Sequence, residues 1–315
     1  MERGALSMKN VFENVHDLIG NTPMIRIKRL GIPSHIELYA KLESFNPGGS
    51  VKDRLGVALI REGERIGKLK PGGTIIEPTA GNTGIGLALA AIGTGYQVIF
   101  VVPEKFSVEK QDLMRALGAH VINTPTSEGI KGAIRKAKEL EQELDGAYCP
   151  QQFSNPANPQ IHYETTGPEI WEQLDGKVDI FIAGAGSSGT FMGVAQFLKE
   201  KNPQIKTVIV EPEGSIIGGG ESGPHQTEGI GMEFFPSFFD HSLIDEVYTV
   251  LDKDAFHLVA ELAKQEGLLV GSSSGAACYA ALQEAAKAPN DTRIVVIFPD
   301  SSERYLSQKI YQGGI

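Results

Sequence analysis

Cysteine is nearly missing from this chain. Only Cys149 and Cys278 occur in 315 residues, far apart and outside any metal-ligand spacing. That excludes a disulfide scaffold and a cysteine-based zinc site, and both thiols are expected to be small buried apolar residues. Tryptophan occurs once, at Trp171, and is expected to pack. A basic excess is lacking too: 39 acidic residues against 29 lysines and arginines leave a formal charge of −10, the wrong sign for a nucleic-acid partner. No apolar run reaches membrane-span length without a charge or a glycine turn, and Met1 to Asn10 has no signal-type apolar core. A chain with no membrane or nucleic-acid partner, working in a reducing cytoplasm, is expected. The histidines at 16, 35, 120, 162, 225, 241 and 257 are scattered and suggest no metal site. Among them His225 is the strongest candidate for a role, because it falls in an irregular segment.

Glycine is plentiful, with 37 residues clustered in short loops, a pattern suited to backbone that approaches ligands closely. Between the loops, β-branched runs alternate with amphipathic stretches. The pattern predicts strands at 36–41, 74–77, 97–102, 119–123, 178–183, 206–211 and 293–298. It predicts helices at 51–66, 83–94, 107–117, 129–144, 164–174, 189–201, 253–266 and 275–288. Such crossover units build an α/β fold with mostly parallel sheets and helices on both faces. The length suits one large or two intimate domains, and a second unit is expected to begin near residue 150. Residues 212–242, rich in glycine, proline and phenylalanine, are expected to be ordered but irregular and to cover a site.

Three stretches carry chemistry. In Asn46-Pro47-Gly48-Gly49-Ser50-Val51-Lys52-Asp53, Ser50 and Asp53 have the spacing of a capping box. Lys52 would then sit in a first helical turn, where the macrodipole disfavours a cation. An imine is one resolution; a solvated surface lysine is the plain alternative. Thr79-Ala80-Gly81-Asn82-Thr83-Gly84 lies between a strand and a helix, an anion site by construction. Gly184-Ala185-Gly186-Ser187-Ser188-Gly189-Thr190 can form a nest of N–H groups around a phosphate. This last loop also matches G-x-G-x-x-G, with Glu211 ending the next strand, so a nicotinamide-dependent oxidoreductase is the rival reading. That rival leaves Lys52 and the 79–84 loop without a role. Gly271-Ser272-Ser273-Ser274-Gly275 and Pro299-Asp300-Ser301 are two further junctions, each compatible with a simple turn.

Taken in order, NPGGSVKDR, EPTAGNTGIGLA, QQFSNPANP, GAGSSGTFMG, VEPEGS, EGIGMEF, GLLVGSSSGAA and FPDSSERYLS resemble the cysteine synthase and cystathionine β-synthase family from about residue 11 to the C-terminus. The resemblance implies a two-domain fold-type-II pyridoxal-phosphate enzyme, tryptophan synthase β-like. Residues 46–153 would form a smaller domain with a mobile, substrate-closing part, and 11–45 plus 154–315 a larger one. By the same resemblance the cofactor is pyridoxal 5'-phosphate and Lys52 is the catalytic Schiff-base residue. Asn82 would bond the cofactor's 3′-oxygen, Gly186, Ser187, Ser188, Gly189 and Thr190 would cradle its phosphate, and Ser273 would face its pyridine nitrogen. Thr79, Ala80, Gly81, Thr83 and Gln152 would receive the substrate carboxylate, and Gly229 would line the cleft. A hydroxyl beside the ring nitrogen does not hold the ring protonated as a carboxylate would, which favours prompt loss of a β-substituent. A thiol would then add to an aminoacrylate.

The chain departs from the family's commoner pattern at Ala80, where serine is usual, and at Ala185. The 211–236 segment, PEKFSVEK at 103–110 and Pro299-Asp300-Ser301 are closer to cystathionine β-synthases, yet Met232 stands where those enzymes often have tyrosine. Without that hydroxyl a poor leaving group would lack assistance, so O-acetylserine rather than serine is the expected first substrate. Homocysteine, giving cystathionine, is the favoured thiol; sulfide, giving cysteine, is the alternative. The resemblance also implies a homodimer and leaves docking to a serine acetyltransferase open.

Overall fold

The computed structural model describes residues 11–79, 81–105 and 107–312. The chain enters through β1 (Met24–Ile27) and β2 (Glu37–Leu42), then folds α1 (Lys52–Arg65), β3 (Thr74–Pro78), α2 (Asn82–Ala91), β4 (Gln97–Pro103), α3 (Val108–Ala116) and β5 (His120–Thr124). Next come α4 (Gly129–Glu143), β6 (Ala147–Tyr148), α5 (Ala157–Ile161), α6 (Gly167–Gln173) and β7 (Ile180–Gly184). It finishes through α7 (Gly189–Lys201), β8 (Lys206–Pro212), β9 (Glu246–Val250), α8 (Asp252–Glu261), α9 (Ser272–Lys287) and β10 (Arg293–Phe298).

These strands form two sheets. The larger runs β1-β2-β10-β7-β8-β9 and the smaller β5-β4-β3-β6. Only the β1–β2 pair is antiparallel; every other pairing is parallel. The apolar run of β10 follows from its place, between β2 and β7 with both faces covered. Ile294, Val296 and Phe298 pack with the alanine face of α9. Val295 and Ile297 pack on the opposite side with Phe191 and Leu198 of α7. In the smaller sheet Ile75 and Phe100 meet α1 and α2, while Ile76 and Val101 meet Ala133 and Ala137 of α4.

Three strands escape the sequence pattern: β1, β6 and β9. All lie at sheet edges, are half-buried at most positions, and so lack the continuous apolar run of the central strands. The helix expected at 164–174 is preceded by α5 and a wide-turn segment at His162–Thr166, and α9 begins at Ser272, three residues before the expected start. Of the segment 212–242 expected to be irregular, residues 213–240 hold no helix or strand, while Pro212 ends β8 and His241–Leu243 form a short 3-10 turn. Cys149 and Cys278 are buried and free, and Trp171 packs beside α7.

Two glycines bring the lysine helix against the first anion loop's helix. A β-carbon on Gly56 would lie 2.2 Å from the Gly86 carbonyl oxygen, and one on Gly86 would lie 2.3 Å from that of Lys52. Their absence lets α2 touch α1 at the turn that carries Lys52. The chain before α1 is stitched to the large sheet: Ser50 bridges Asp300, and Val51 N–H donates to the Pro299 carbonyl at 2.9 Å.

Candidate active site

The carboxyl end of β10 meets the start of α1 here, the kind of place where an open parallel sheet opens into ligand-binding loops. Lys52 is the first residue of α1 and only partly accessible. Burial pushes its ammonium down to about 8, with the Asp300 charge opposing the shift. The expected capping box does not form. Ser50 Oγ accepts from Lys52 N–H at 3.2 Å, but the Asp53 carboxylate turns back to Gly48 N–H, because the chain at 46–49 folds over the helix start. Burial raises Asp53 to about 7.

Arg54, in the first turn of the same helix, anchors it. Its guanidinium meets Glu43 at 2.8 Å and Glu169 at 2.6 Å with almost no solvent exposure. Lys41 of β2 joins the cluster through Glu169 at 2.7 Å.

The 184–190 loop leaves β7 and enters α7. Ser188 is left-handed, with φ 62°, so the turn ends with the α7 N–H groups exposed at a helix N-terminus. Ser187 Oγ accepts from Asn158 Nδ2 at 3.0 Å, and Thr190 Oγ1 lies 3.2 Å from His162 Nε2. Ser188 Oγ is buried without any partner. An orphaned hydroxyl at the mouth of a helix N-terminus calls for an anion, so these residues fit a phosphate. The loop is narrow by necessity: a β-carbon on Gly186 would meet the Gly229 carbonyl at 2.3 Å, and one on Gly189 would meet Asn158 Oδ1 at 1.9 Å.

The structure brings Gly229 and Ser273 together. A β-carbon at Gly229 would lie 3.8 Å from Ser273 Oγ, and Glu228 N–H donates to Ser272 Oγ at 3.1 Å. Asn82 opens α2 between two charged groups. Its Nδ2 donates to Asp300 at 2.7 Å, and its Oδ1 accepts from Arg304 at 2.7 Å. In the other loop Thr83 Oγ1 donates to Gln152 Oε1 at 2.8 Å, and Gly81 N–H faces Thr79 Oγ1 at 3.4 Å. Ala80 lies outside the described residues. Met232 is buried in the core beside Ile217 and offers no hydroxyl.

Several residues here receive no individual role from the sequence pattern. Asp300 reads there only as a turn and as part of a motif. It is buried, and desolvation raises its carboxyl. Arg304 and Tyr305 follow it; Tyr305 OH donates to Asp300. Lys110 of α3 pairs with Glu228 and lies 4.2 Å above the Tyr305 ring. His162, expected to have no catalytic or metal role, stands behind the 184–190 loop; burial holds it well below the usual histidine value. His225 turns Nδ1 to the Thr227 carbonyl at 3.0 Å.

Glu211, which the dinucleotide rival needs for a ribose, is fully used by the fold. Its carboxylate accepts from Ile217 N–H at 2.8 Å, Gly218 N–H at 2.9 Å and Thr249 Oγ1 at 2.8 Å. Among the described residues no cluster of His, Cys, Asp and Glu is placed to hold a metal ion, and no helix is long and apolar enough to cross a membrane.

Comparison with known proteins agrees with this geometry. The chain is 60% identical over 305 residues to an "O-acetylserine dependent cystathionine beta-synthase" of Bacillus subtilis, covering 97% of this chain and 99% of the relative. It is 55% identical over 303 residues to a "Cysteine synthase" of Helicobacter pylori, covering 96% and 99%. The crystal structure of an O-acetylserine dependent cystathionine beta-synthase from Helicobacter pylori superposes with a TM-score of 0.92 at 55% identity, covering 96% of this chain and 99% of that one. The family model for pyridoxal-phosphate dependent enzymes matches residues 15–300, and the chain belongs to that family.

Proposed function

We propose that this enzyme replaces the β-acetoxy group of O-acetyl-L-serine with the thiol of L-homocysteine, giving L-cystathionine and acetate. The observation that carries the reading is Lys52, half-buried and shifted down to about 8, on a helix start packed against the helix that the 79–84 loop opens. Similarity to the Bacillus subtilis relative supports homocysteine as the thiol.

Pyridoxal phosphate, when bound, supplies a carbonyl for the substrate amine and a conjugated ring that accepts the electrons of the breaking α-C–H bond. Ser187, Ser188, Thr190 and the N–H groups from Gly186 to Gly189 would hold its phosphate. Asn82 would bond its 3′-oxygen, and Ser273 would stand at its ring nitrogen. Thr79, Gly81, Thr83 and Gln152 orient the amino acid by its carboxylate. Lys52 Nζ takes the α-proton and returns it after the thiol has added. Acetate leaves with the Cβ–O electron pair, and the homocysteine sulfur forms the Cβ–S bond. Closure of the 46–153 unit over the cleft excludes water between those steps.

The deciding experiment offers the purified holoenzyme O-acetylserine with equimolar homocysteine and sulfide, and quantifies products by mass spectrometry. Mostly cystathionine is expected. Mostly cysteine would make the chain a cysteine synthase, as the Helicobacter pylori relative is named. A parallel arm with serine should give far slower turnover; equal rates would overturn the choice of first substrate. The working unit proposed is a cytoplasmic homodimer, which sedimentation would test, and mixing with a serine acetyltransferase would show whether the two associate.

A further inference from the structure

The turn that presents Gln152 has no helix or strand of its own. β6 ends at Tyr148 and α5 starts only at Ala157. Within this turn Gln151 is left-handed, with φ 58°, a conformation its β-carbon disfavours. One carboxylate holds it there. The N–H groups of Gln151 and Gln152 both donate to Glu77, at 2.9 Å and 3.0 Å. Glu77 is 0% exposed and sits on β3, two residues before Thr79. The strand that leads into one half of the carboxylate loop therefore also clamps the other half. Gln152 completes the link by accepting from Thr83 Oγ1.

A buried carboxylate that no cation pairs with among the described residues costs the fold stability. The charged side chain that bears on Glu77 is another acid, Glu141, itself tied to Cys149 N–H at 2.9 Å. We propose that Glu77 is a positioning residue for the amino-acid substrate, acting through the Gln151–Gln152 backbone to set Gln152 and Thr83 for the substrate carboxylate. The proposal rests on reading that loop as the carboxylate site.

A pH dependence follows. Burial pushes Glu77 up to about 7, against the pull of the two N–H groups. The titratable groups around it are Tyr148 and Cys149 on the β6 side and Glu141 and Lys138 on α4. Burial pushes Tyr148 up to about 12 and Cys149 higher than its usual value, so neither changes charge near neutrality. Protonating Glu77 turns one acceptor into a donor facing an N–H group, and the clamp loosens.

The test compares wild-type holoenzyme with E77Q and E77D in steady-state assays with O-acetylserine. For E77Q the expected KM for O-acetylserine is about tenfold higher at about pH 8, the loss of one hydrogen bond to a charged acceptor, with kcat within about twofold and the thiol KM unchanged. The ratio of the two KM values should shrink towards unity at about pH 6, where wild-type Glu77 is itself protonated; using the ratio cancels titration of the substrate amine. E77D should keep the pH dependence with a smaller shift. Equal KM values at pH 8, or a ratio indifferent to pH, would overturn the proposal, as would a fall in kcat with KM unmoved. If E77Q does not fold, E77D against wild type over the same range decides it. A wild-type enzyme inactive on O-acetylserine would instead defeat the functional reading, and the Glu77 clamp would then be tested by L-serine binding to the same proteins, followed by cofactor absorbance.

Discussion

Asn82 Nδ2 donates to Asp300 Oδ2 at 2.7 Å across 218 residues of chain, tying the first residue of α2 to the end of β10. The same carboxylate supports the Lys52 ammonium. Asp300→Asn removes the charge and keeps an acceptor for Asn82. The Lys52 amine should then titrate below its present value of about 8. Measured as the rate at which apoenzyme takes up pyridoxal phosphate, the midpoint of the pH profile should move down; an unmoved midpoint would show that Asp300 exerts no charge on Lys52.

In the wild-type apoenzyme that midpoint should itself lie near the Lys52 value of about 8. Only the neutral amine attacks the cofactor's aldehyde, so uptake should quicken as pH rises through that value and level off above it. Lys52→Arg should bind the cofactor phosphate yet show none of the long-wavelength absorbance that the wild type acquires.

The 184–190 loop has no room for a side chain at Gly189. Gly189→Ala would drive a β-carbon into Asn158 Oδ1, and the Asn158 amide also holds Ser187 Oγ and the Gln152 carbonyl. Overpacking of this kind costs about 1–3 kcal/mol. Because it displaces Ser187, the loss should appear first in cofactor retention, read as bound cofactor per chain after gel filtration. Full retention with wild-type melting would contradict the geometry.

The Arg54 cluster should carry the stability of the α1 start. Arg54→Ala leaves the buried Glu43 without its guanidinium and the half-buried Glu169 with Lys41 alone, a loss of about 3–5 kcal/mol in urea unfolding. Burial pushes the Glu43 carboxyl up, and Arg54 more than offsets it, so the group titrates below the usual carboxylate value. Glu169 is held low in the same way. Their contribution is therefore present above the unfolded carboxylate value and lost as pH falls through the depressed folded values. The Arg54→Ala deficit should be full at neutral pH and fade in acid; a deficit constant with pH would assign it to packing alone.

Much of the site is legible in the sequence because its parts are short and contiguous. A glycine-rich turn between a strand and a helix announces exposed N–H groups wherever the fold places it, so the 79–84 and 184–190 loops emerge from local pattern. Lys52 can be placed in a first helical turn, but its capping partner cannot. Asp53 satisfies Gly48 rather than Ser50, since the folding back of 46–49 is not encoded in a three-residue spacing. Edge strands such as β1 and β9 escape the pattern because one flank of each has no neighbour to demand apolar side chains.

By itself the sequence determined the central strands, the crossover helices and the glycine-rich loops proposed to meet a phosphate or a carboxylate, since each depends on residues a few positions apart. Tertiary structure alone decided which distant groups tune them. Asp300 reaches Asn82, His162 reaches Thr190, Glu169 reaches Arg54 and Glu77 reaches Gln151. These pairings stand 28 to 218 residues apart. Hydrogen bonds and desolvation act over a few ångströms, so no local pattern specifies such partners until the sheets close around them.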